Sequence, residues 1–250
     1  QATENRCVGG SIPPLGTMLV MRNKIFLLFF FIFCLSCEFD SKNYFPSLQG
    51  LKWLYSVDIK SSYTGKNHTK RVMVTNLSTK KSGENIELSK LYSDGSYYTY
   101  EIDKKKVERM SVILAFGEGI VEPVKKIIYP DLLFKQKKWT VKEQLFLVRG
   151  FQPPLLNVKP SSKFDMEYEI KKRYHKYKVK GLLYKDCIEI EGKGSTDFIG
   201  DNRYGSIDVK IKNIEILCNN VGMIKQIRTE NTSASAFGNM TLVKELMSFN

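Results

Sequence analysis

From Phe164 to Lys171 the chain reads Phe-Asp-Met-Glu-Tyr-Glu-Ile-Lys, apolar at every second position and charged between. That period of two predicts a strand with one face in a core and the other in water. Ile207-Asp-Val209-Lys-Ile211-Lys repeats the pattern, and beyond Asn213 the apolar positions change parity to Ile214 and Ile216. A one-residue slip sends every later side chain to the other face, so a β-bulge is predicted near Asn213. Stretches rich in β-branched and aromatic residues predict further strands over Trp53–Ser62, Arg71–Thr79, Glu87–Tyr92, Tyr97–Asp103, Val107–Ala115, Trp139–Val148, Tyr174–Val179, Tyr184–Glu191, Met223–Thr229 and Leu242–Phe249. Turn signals fall at Ser93-Asp-Gly-Ser96, Gly192-Lys-Gly194 and Ile199-Gly-Asp-Asn202. There is no long helical period. A short helix or irregular loop is expected over Gly117–Lys137, and a loop at Pro153-Pro154. The expected fold class is all-β, mainly antiparallel, a curved sheet forming a half-barrel or barrel with short helix or loop insertions.

The first 43 residues break this pattern. Met21-Arg-Asn-Lys24 is a short basic segment, and the uncharged run Ile25–Ser36 (IFLLFFFIFCLS) follows it. Crossing a membrane as a helix takes about 20 apolar residues for roughly 30 Å of hydrocarbon. This run has twelve, so it is too short to span and suits the apolar part of a signal peptide. It ends at Cys34-Leu35-Ser36-Cys37, and the chain turns polar at Glu38. The junction resembles a bacterial lipobox, in which a small residue precedes a cysteine that receives diacylglycerol before cleavage. Ser36 fits the small position, and Cys34 stands where the common pattern has Leu. The resemblance implies signal cleavage between Ser36 and Cys37 and lipidation at Cys37 with diacylglycerol and palmitate. Each buried methylene of such an anchor contributes about 0.8 kcal/mol. Residues 1–20 carry no export signal and read as an over-extended or non-native leader. The expected layout is leader 1–20, lipoprotein signal peptide 21–36, tether 37–43 and a β-rich envelope domain 44–250.

Charge refines the picture only a little. The chain carries +13; residues 1–36 hold Arg6, Arg22 and Lys24 against Glu4, so about +11 falls on the remainder. Such a surplus favours anionic surfaces such as phospholipid or acidic glycan, and export excludes nucleic acid as a partner. Alternating lysines such as Lys176, Lys178 and Lys180 also read simply as a wet sheet face. Of five cysteines, Cys7 lies in the leader, Cys34 in the signal and Cys37 at the lipobox, which leaves Cys187 and Cys218. In an oxidising compartment they form a possible disulfide; the alternative is two cysteines packed as small hydrophobes. With a turn centred near Asp201, Cys187 would face about residue 215, close to Cys218 but not opposite it.

Catalytic equipment is sparse. Gly-x-Ser-x-Gly and the phosphate-cradling glycine motifs are absent, and the two histidines, His68 and His175, read as a turn residue and a strand residue. Asp165, Glu167 and Glu169 alternate outward on one strand. The Asn-x-Ser/Thr triplets at Asn67, Asn76, Asn231 and Asn239 read as chance in a bacterial chain. No metal, cofactor or catalytic residue is expected, and the chain does not read as an enzyme.

Three patches resemble the TapB-like proteins, bacterial lipoproteins of uncharacterised role. They are Tyr44-Phe-Pro46 with Gly50-Leu-Lys-Trp53-Leu-Tyr55; Tyr129-Pro130 with Lys138-Trp139; and Val179–Ile190 followed by Cys218-Asn-Asn-Val221-Gly222-Met-Ile-Lys225. The close, Leu246-Met-Ser-Phe249-Asn250, is similar to that family's last strand. The resemblance implies a β-rich envelope lipoprotein with a curved sheet and no catalytic residues. The expected role is binding of an apolar or amphipathic, lipid-like ligand, or of an envelope protein, in that sheet. The alternative is a surface protein that meets acidic polymers through a basic face. The expected location is the bacterial envelope, anchored by N-terminal lipid, at the outer membrane rather than the inner.

Overall fold

Alternation decides which side chains meet. Phe164, Met166 and Tyr168 are buried, while Asp165 and Glu167 between them are exposed. The computed structural model describes residues 43–103, 106–114, 125–130, 136–148, 163–200 and 205–250. In these residues the strands are β1 (Lys52–Ser61), β2 (Asn67–Ser82), β3 (Asn85–Tyr92), β4 (Tyr97–Ile102), β5 (Val107–Ile113), β6 (Lys126–Tyr129), β7 (Lys138–Gln144), β8 (Lys163–Val179), β9 (Leu182–Ile199), β10 (Ser206–Cys218), β11 (Gly222–Thr232) and β12 (Asn239–Phe249). They form one antiparallel sheet in the order β6-β5-β4-β3-β2-β1-β12-β11-β10-β9-β8-β7, nearly closed into a barrel. There is no helix among the described residues. The expected all-β antiparallel class is what the chain adopts.

Each strand pairs with its neighbours in sequence except at two places. β1 pairs with β12, which brings the ends of the domain together. β6 and β7 are the two ends of the ladder. Side chains bridge them instead: Lys126 Nζ of β6 lies 2.7 Å from Glu143 Oε1 of β7.

The predicted bulge near Asn213 is not there. β9 and β10 pair without a shift from Ser206–Ile199 to Cys218–Cys187, and the irregularity on the β11 side falls between Ile216 and Leu217. The parity change has another cause. Asn213 continues the inward phase of Ile207, Val209 and Ile211, and is 1% exposed. Ile214 and Ile216 occupy the opposite phase, in a second cluster with Cys187, Cys218, Ile224 and Val179. The inward face turns polar there, and the outward face turns apolar because the β8–β9 hairpin bends back over it. Lys180, at the hairpin tip, reaches Glu245 of β12 at 3.2 Å, although β9, β10 and β11 lie between β8 and β12 in the sheet.

Gly192-Lys-Gly194 is not a turn. Both glycines lie within β9, opposite Tyr168 and Met166. Their role is room: a Cβ on Gly192 would sit 2.5 Å from the Tyr168 ring, and one on Gly194 would sit 2.9 Å from Met166 Sδ and from Phe164. Tyr168 is stacked on Trp139 at 5.6 Å and has little space to retreat. Gly192→Ala is expected to destabilise the domain by about 1–3 kcal/mol through overpacking. A chemical-denaturation midpoint equal to wild type would refute that.

Other expectations shift at their edges. His68 is not in a turn but in β2, opposite Ile59. Residues 126–129 are strand β6 rather than helix or loop, and the rest of the Gly117–Lys137 expectation falls largely outside the described residues. So does Pro153-Pro154. The strand begun at Phe164 runs on to Val179 without a break. β7 ends at Gln144, short of Val148.

Candidate functional site

Residues 43–51 cross one end of the barrel. Asn43 bonds to the β10–β11 turn: its N–H donates to Asn219 Oδ1 at 2.7 Å, and its carbonyl accepts from Asn220 N–H at 2.7 Å. At the far side Asn76 Nδ2 of β2 donates to the carbonyls of Pro46 and Leu48 at 3.2 and 2.9 Å. Asn76 is fully buried, so it serves as a clamp and not as a surface acceptor site. Asn43, expected to belong to a tether, is thus built into the domain. Tyr44 is 1% exposed, and the Phe45 ring packs edge-on to Tyr100 and Tyr129 at 5.4 and 6.1 Å. Gly222, at φ 83°, supplies a tight bend and leaves only 3.2 Å between its would-be Cβ and Pro46.

Under this segment lies a cavity of about 220 Å³. Its walls are aromatic: Phe45, Trp53, Tyr55, Tyr92, Tyr100 and Tyr129. Trp53 and Tyr55, alternate residues of β1, reach across to the β10–β11 turn and the start of β11. Trp53 Nε1 donates to the Val221 carbonyl at 2.7 Å, and Tyr55 Oη donates to that of Met223 at 2.8 Å. The same cavity is lined by Lys90, Lys244 and Glu215. Lys90 Nζ lies 4.2 Å from the Phe45 ring centre and 4.8 Å from that of Trp53. Lys244 Nζ lies 4.1 Å from the Tyr55 ring centre. Glu215 accepts from Tyr129 Oη at 2.9 Å and from Asn213 Nδ2 at 2.8 Å.

Burial reshapes the titration of all three. It pushes Lys90 down to about 7, with the nearby Lys244 charge adding to the shift. It pushes Lys244 down to about 8 against the attraction of Glu215. Glu215 is raised by burial, which outweighs the hydrogen bonds from Asn213 and Tyr129. Both lysines retain some accessible surface, and that surface belongs to side chains that line the cavity.

The sign of the stability effect follows. In the unfolded chain both lysines titrate near the ordinary value of about 10.4. Between about pH 7 and pH 10 the unfolded state therefore holds more protons than the folded one, and stability rises with pH. Burial holds Tyr55, Tyr92 and Tyr100 protonated beyond their ordinary range, so the slope reverses above about pH 10. Lys90→Met is expected to stabilise the domain at pH 7 and to flatten the rise, as read from denaturation midpoints at several pH values. An unchanged pH profile would count against an uncompensated Lys90.

A second polar group braces the seam. Arg228 and Glu230 of β11 are 2% and 0% exposed, and Arg228 Nε donates to Glu230 Oε1 at 2.9 Å. Glu230 also accepts the backbone N–H groups of Leu147 and Val148 at 2.9 Å each, just past β7. Arg228 Nη2 donates to the Gln144 carbonyl at 3.1 Å.

The residues singled out from sequence lie elsewhere. Ser36 and Cys37 fall outside the described residues. Cys187 and Cys218 are disulfide-bonded, with Cα atoms 4.0 Å apart. They stand directly opposite because Ile199 pairs with Ser206, further along than a turn centred on Asp201 would place it. His68 and His175 are exposed on β2 and β8. Among the described residues no group of three His, Cys, Asp or Glu side chains is placed to hold a metal. Lys90 and Lys244 went unnoticed in the sequence, yet a signal exists. Each sits in phase with apolar residues, in Ile86-x-Leu88-x-Lys90-x-Tyr92 and Met240-x-Leu242-x-Lys244-x-Leu246.

Comparison with known proteins adds little to this geometry. No family model matches the chain, so the likeness to TapB-like proteins remains one of short motifs, and no curated protein matches it either. Two solved structures are similar in outline. One, from Bacteroides fragilis, is provisionally described as an exported protein with a YmcC-like fold: TM-score 0.40, 8% identity, covering 84% of this chain and 99% of that one. The other, from Parabacteroides distasonis, is provisionally described as a lipoprotein: TM-score 0.35, 10% identity, with the same coverage. At those scores the likeness is one of outline and says nothing of ligand or role.

Proposed function

We propose that this chain is a lipid-anchored lipoprotein of the bacterial cell envelope that binds a small amphipathic ligand inside its barrel, and that it is not an enzyme. The observation that carries the binding reading is the cavity itself. Six aromatic side chains and two partly buried lysines converge on it under residues 43–51. A site built for ligand shows this mixture of apolar wall and few polar groups. The signal-like run and Ser36-Cys37 support the anchor at Cys37, and the outer membrane is its proposed seat.

The test is native mass spectrometry of the protein purified from its own cells. A mass excess beyond the N-terminal acyl groups, lost on gentle activation, is the expected result. Protein carrying the acyl groups and nothing else would overturn the binding reading. Labelled palmitate that incorporates equally into Cys37→Ala would overturn the anchor. A second reading, contact with acidic polymers, has one observation in its favour: Lys172, Lys176, Lys178 and Lys185 are all exposed on the β8–β9 hairpin. Some of the outer lysines elsewhere are paired, as in Lys142–Asp165 and Lys212–Glu191, both at 2.8 Å.

A further inference from the structure

We propose that the cavity takes a ligand with a single negative charge, held between Lys90 and Lys244, on a short apolar or aromatic body. This rests on the reading of the barrel interior as a ligand site and narrows its chemistry.

The first support is a contrast within the interior. Two other cations of the interior are paired with carboxylates: Lys126 with Glu143 at 2.7 Å, and Arg228 with Glu230 at 2.9 Å. Lys90 and Lys244 are not. Among the described residues neither has an ion-pair partner or a hydrogen-bond acceptor, and aromatic rings lie against each. An ammonium group carries three N–H donors. A ring face attracts the charge but leaves those donors without an oxygen. Buried donors of this kind are costly unless something accepts from them, and the space both lysines border is the cavity.

Charge counting fixes the number of anions. Glu215 is the one carboxylate among the residues that line the cavity. Both of its oxygens are already engaged, Oε2 by Tyr129 and Oε1 by Asn213 and Gln226. With an anion between them to keep both lysines protonated, two cations against one carboxylate leave one positive charge to balance. Size fixes the body. The cavity measures about 220 Å³, below the roughly 300–1,000 Å³ of sites for drug-sized molecules, so a short chain or single ring fits and a two-chain phospholipid does not. Trp53 and Tyr100 supply the wall against which such a body packs.

The experiment compares three probes of one length by isothermal titration calorimetry: octanoate, octan-1-ol and octylamine. The full chain is held in lipid nanodiscs, and empty nanodiscs serve as the blank. Octanoate is expected to bind at least about tenfold more tightly than octan-1-ol, the worth of a modest charge-assisted bond, and octylamine not at all. Lys90→Met and Lys244→Met are each expected to weaken octanoate about tenfold relative to octan-1-ol. Circular dichroism checks that both variants fold, and wild-type selectivity decides alone if they do not. Equal binding of octanoate and octan-1-ol overturns the anion and leaves the amphipathic site standing. Preference for octylamine overturns it in favour of Glu215. No binding of any probe at millimolar concentration overturns both the anion and the site.

Discussion

Glu230→Ala is expected to lower the unfolding free energy by about 3–5 kcal/mol, the range for breaking a buried ion pair from one side. The fully buried carboxylate accepts from Arg228 and from the backbone N–H groups of Leu147 and Val148. Removing it leaves the Nε of a buried guanidinium and two buried amides without an acceptor. The loss is concentrated where the ladder is interrupted. Among the described residues no backbone pairing joins β6 to β7, and Arg228 bonds to β7 through Gln144. Glu230→Gln keeps the shape and an acceptor oxygen but loses the charge, and an intermediate loss is expected. Urea denaturation followed by tryptophan fluorescence reads both, since Trp139 lies on β7. A change below about 1 kcal/mol in Glu230→Ala, within the range of ordinary surface substitutions and single hydrogen bonds, would show that the seam does not depend on this carboxylate.

The double substitution of Cys187 and Cys218 by Ala is expected to cost about 3–4 kcal/mol, from the chain-entropy estimate for a loop of this length. The two residues are 31 positions apart and join β9 to β10. The cross-link lies in the cluster that the β8–β9 hairpin covers, with Ile216, Ile224 and Val179. Its loss should therefore loosen the hairpin before the rest of the sheet. The check is thermal melting with and without a reductant. Wild type should drop with reductant and the double variant should not respond. Identical melting of wild type and double variant in oxidising buffer would overturn the expectation.

These residues mark where the sequence could and could not be read. Strands with an apolar face and a wet face, such as Phe164–Ile170, announced themselves because the two environments differ in one stride of the chain. Asn213 and Glu215 hid the continuation of β10, since a polar interior and a covered exterior invert the usual pattern and imitate a bulge. Gly192 and Gly194 looked like a turn because a missing side chain has the same spelling whether the backbone bends or a neighbouring ring needs the space. The site was hidden for a related reason. A lysine in an apolar phase is easily taken for surface, and only the pairing of β3 with β4 and of β12 with β1 shows that Lys90 and Lys244 point at one space. The seam required Glu230 and residues 145–148 to meet across more than eighty positions, a distance over which local pattern carries no information.

The pairing of β1 with β12 has a consequence for the order of assembly. β1–β6 and β7–β12 are each a run of hairpins whose pairings can form from nearby residues, at little entropic cost. The joint between the runs, with Lys52 and Asn250 exchanging backbone hydrogen bonds at 2.8 and 3.1 Å, is the longest-range pairing in the fold. Of the twelve strands the ribosome makes β12 last. Until it emerges, β1 has one flank unpaired and Lys244 is absent from the cavity. β12 is thus the keystone of the ring: the two half-rings can gather early, but neither encloses anything until the final strand is set between them.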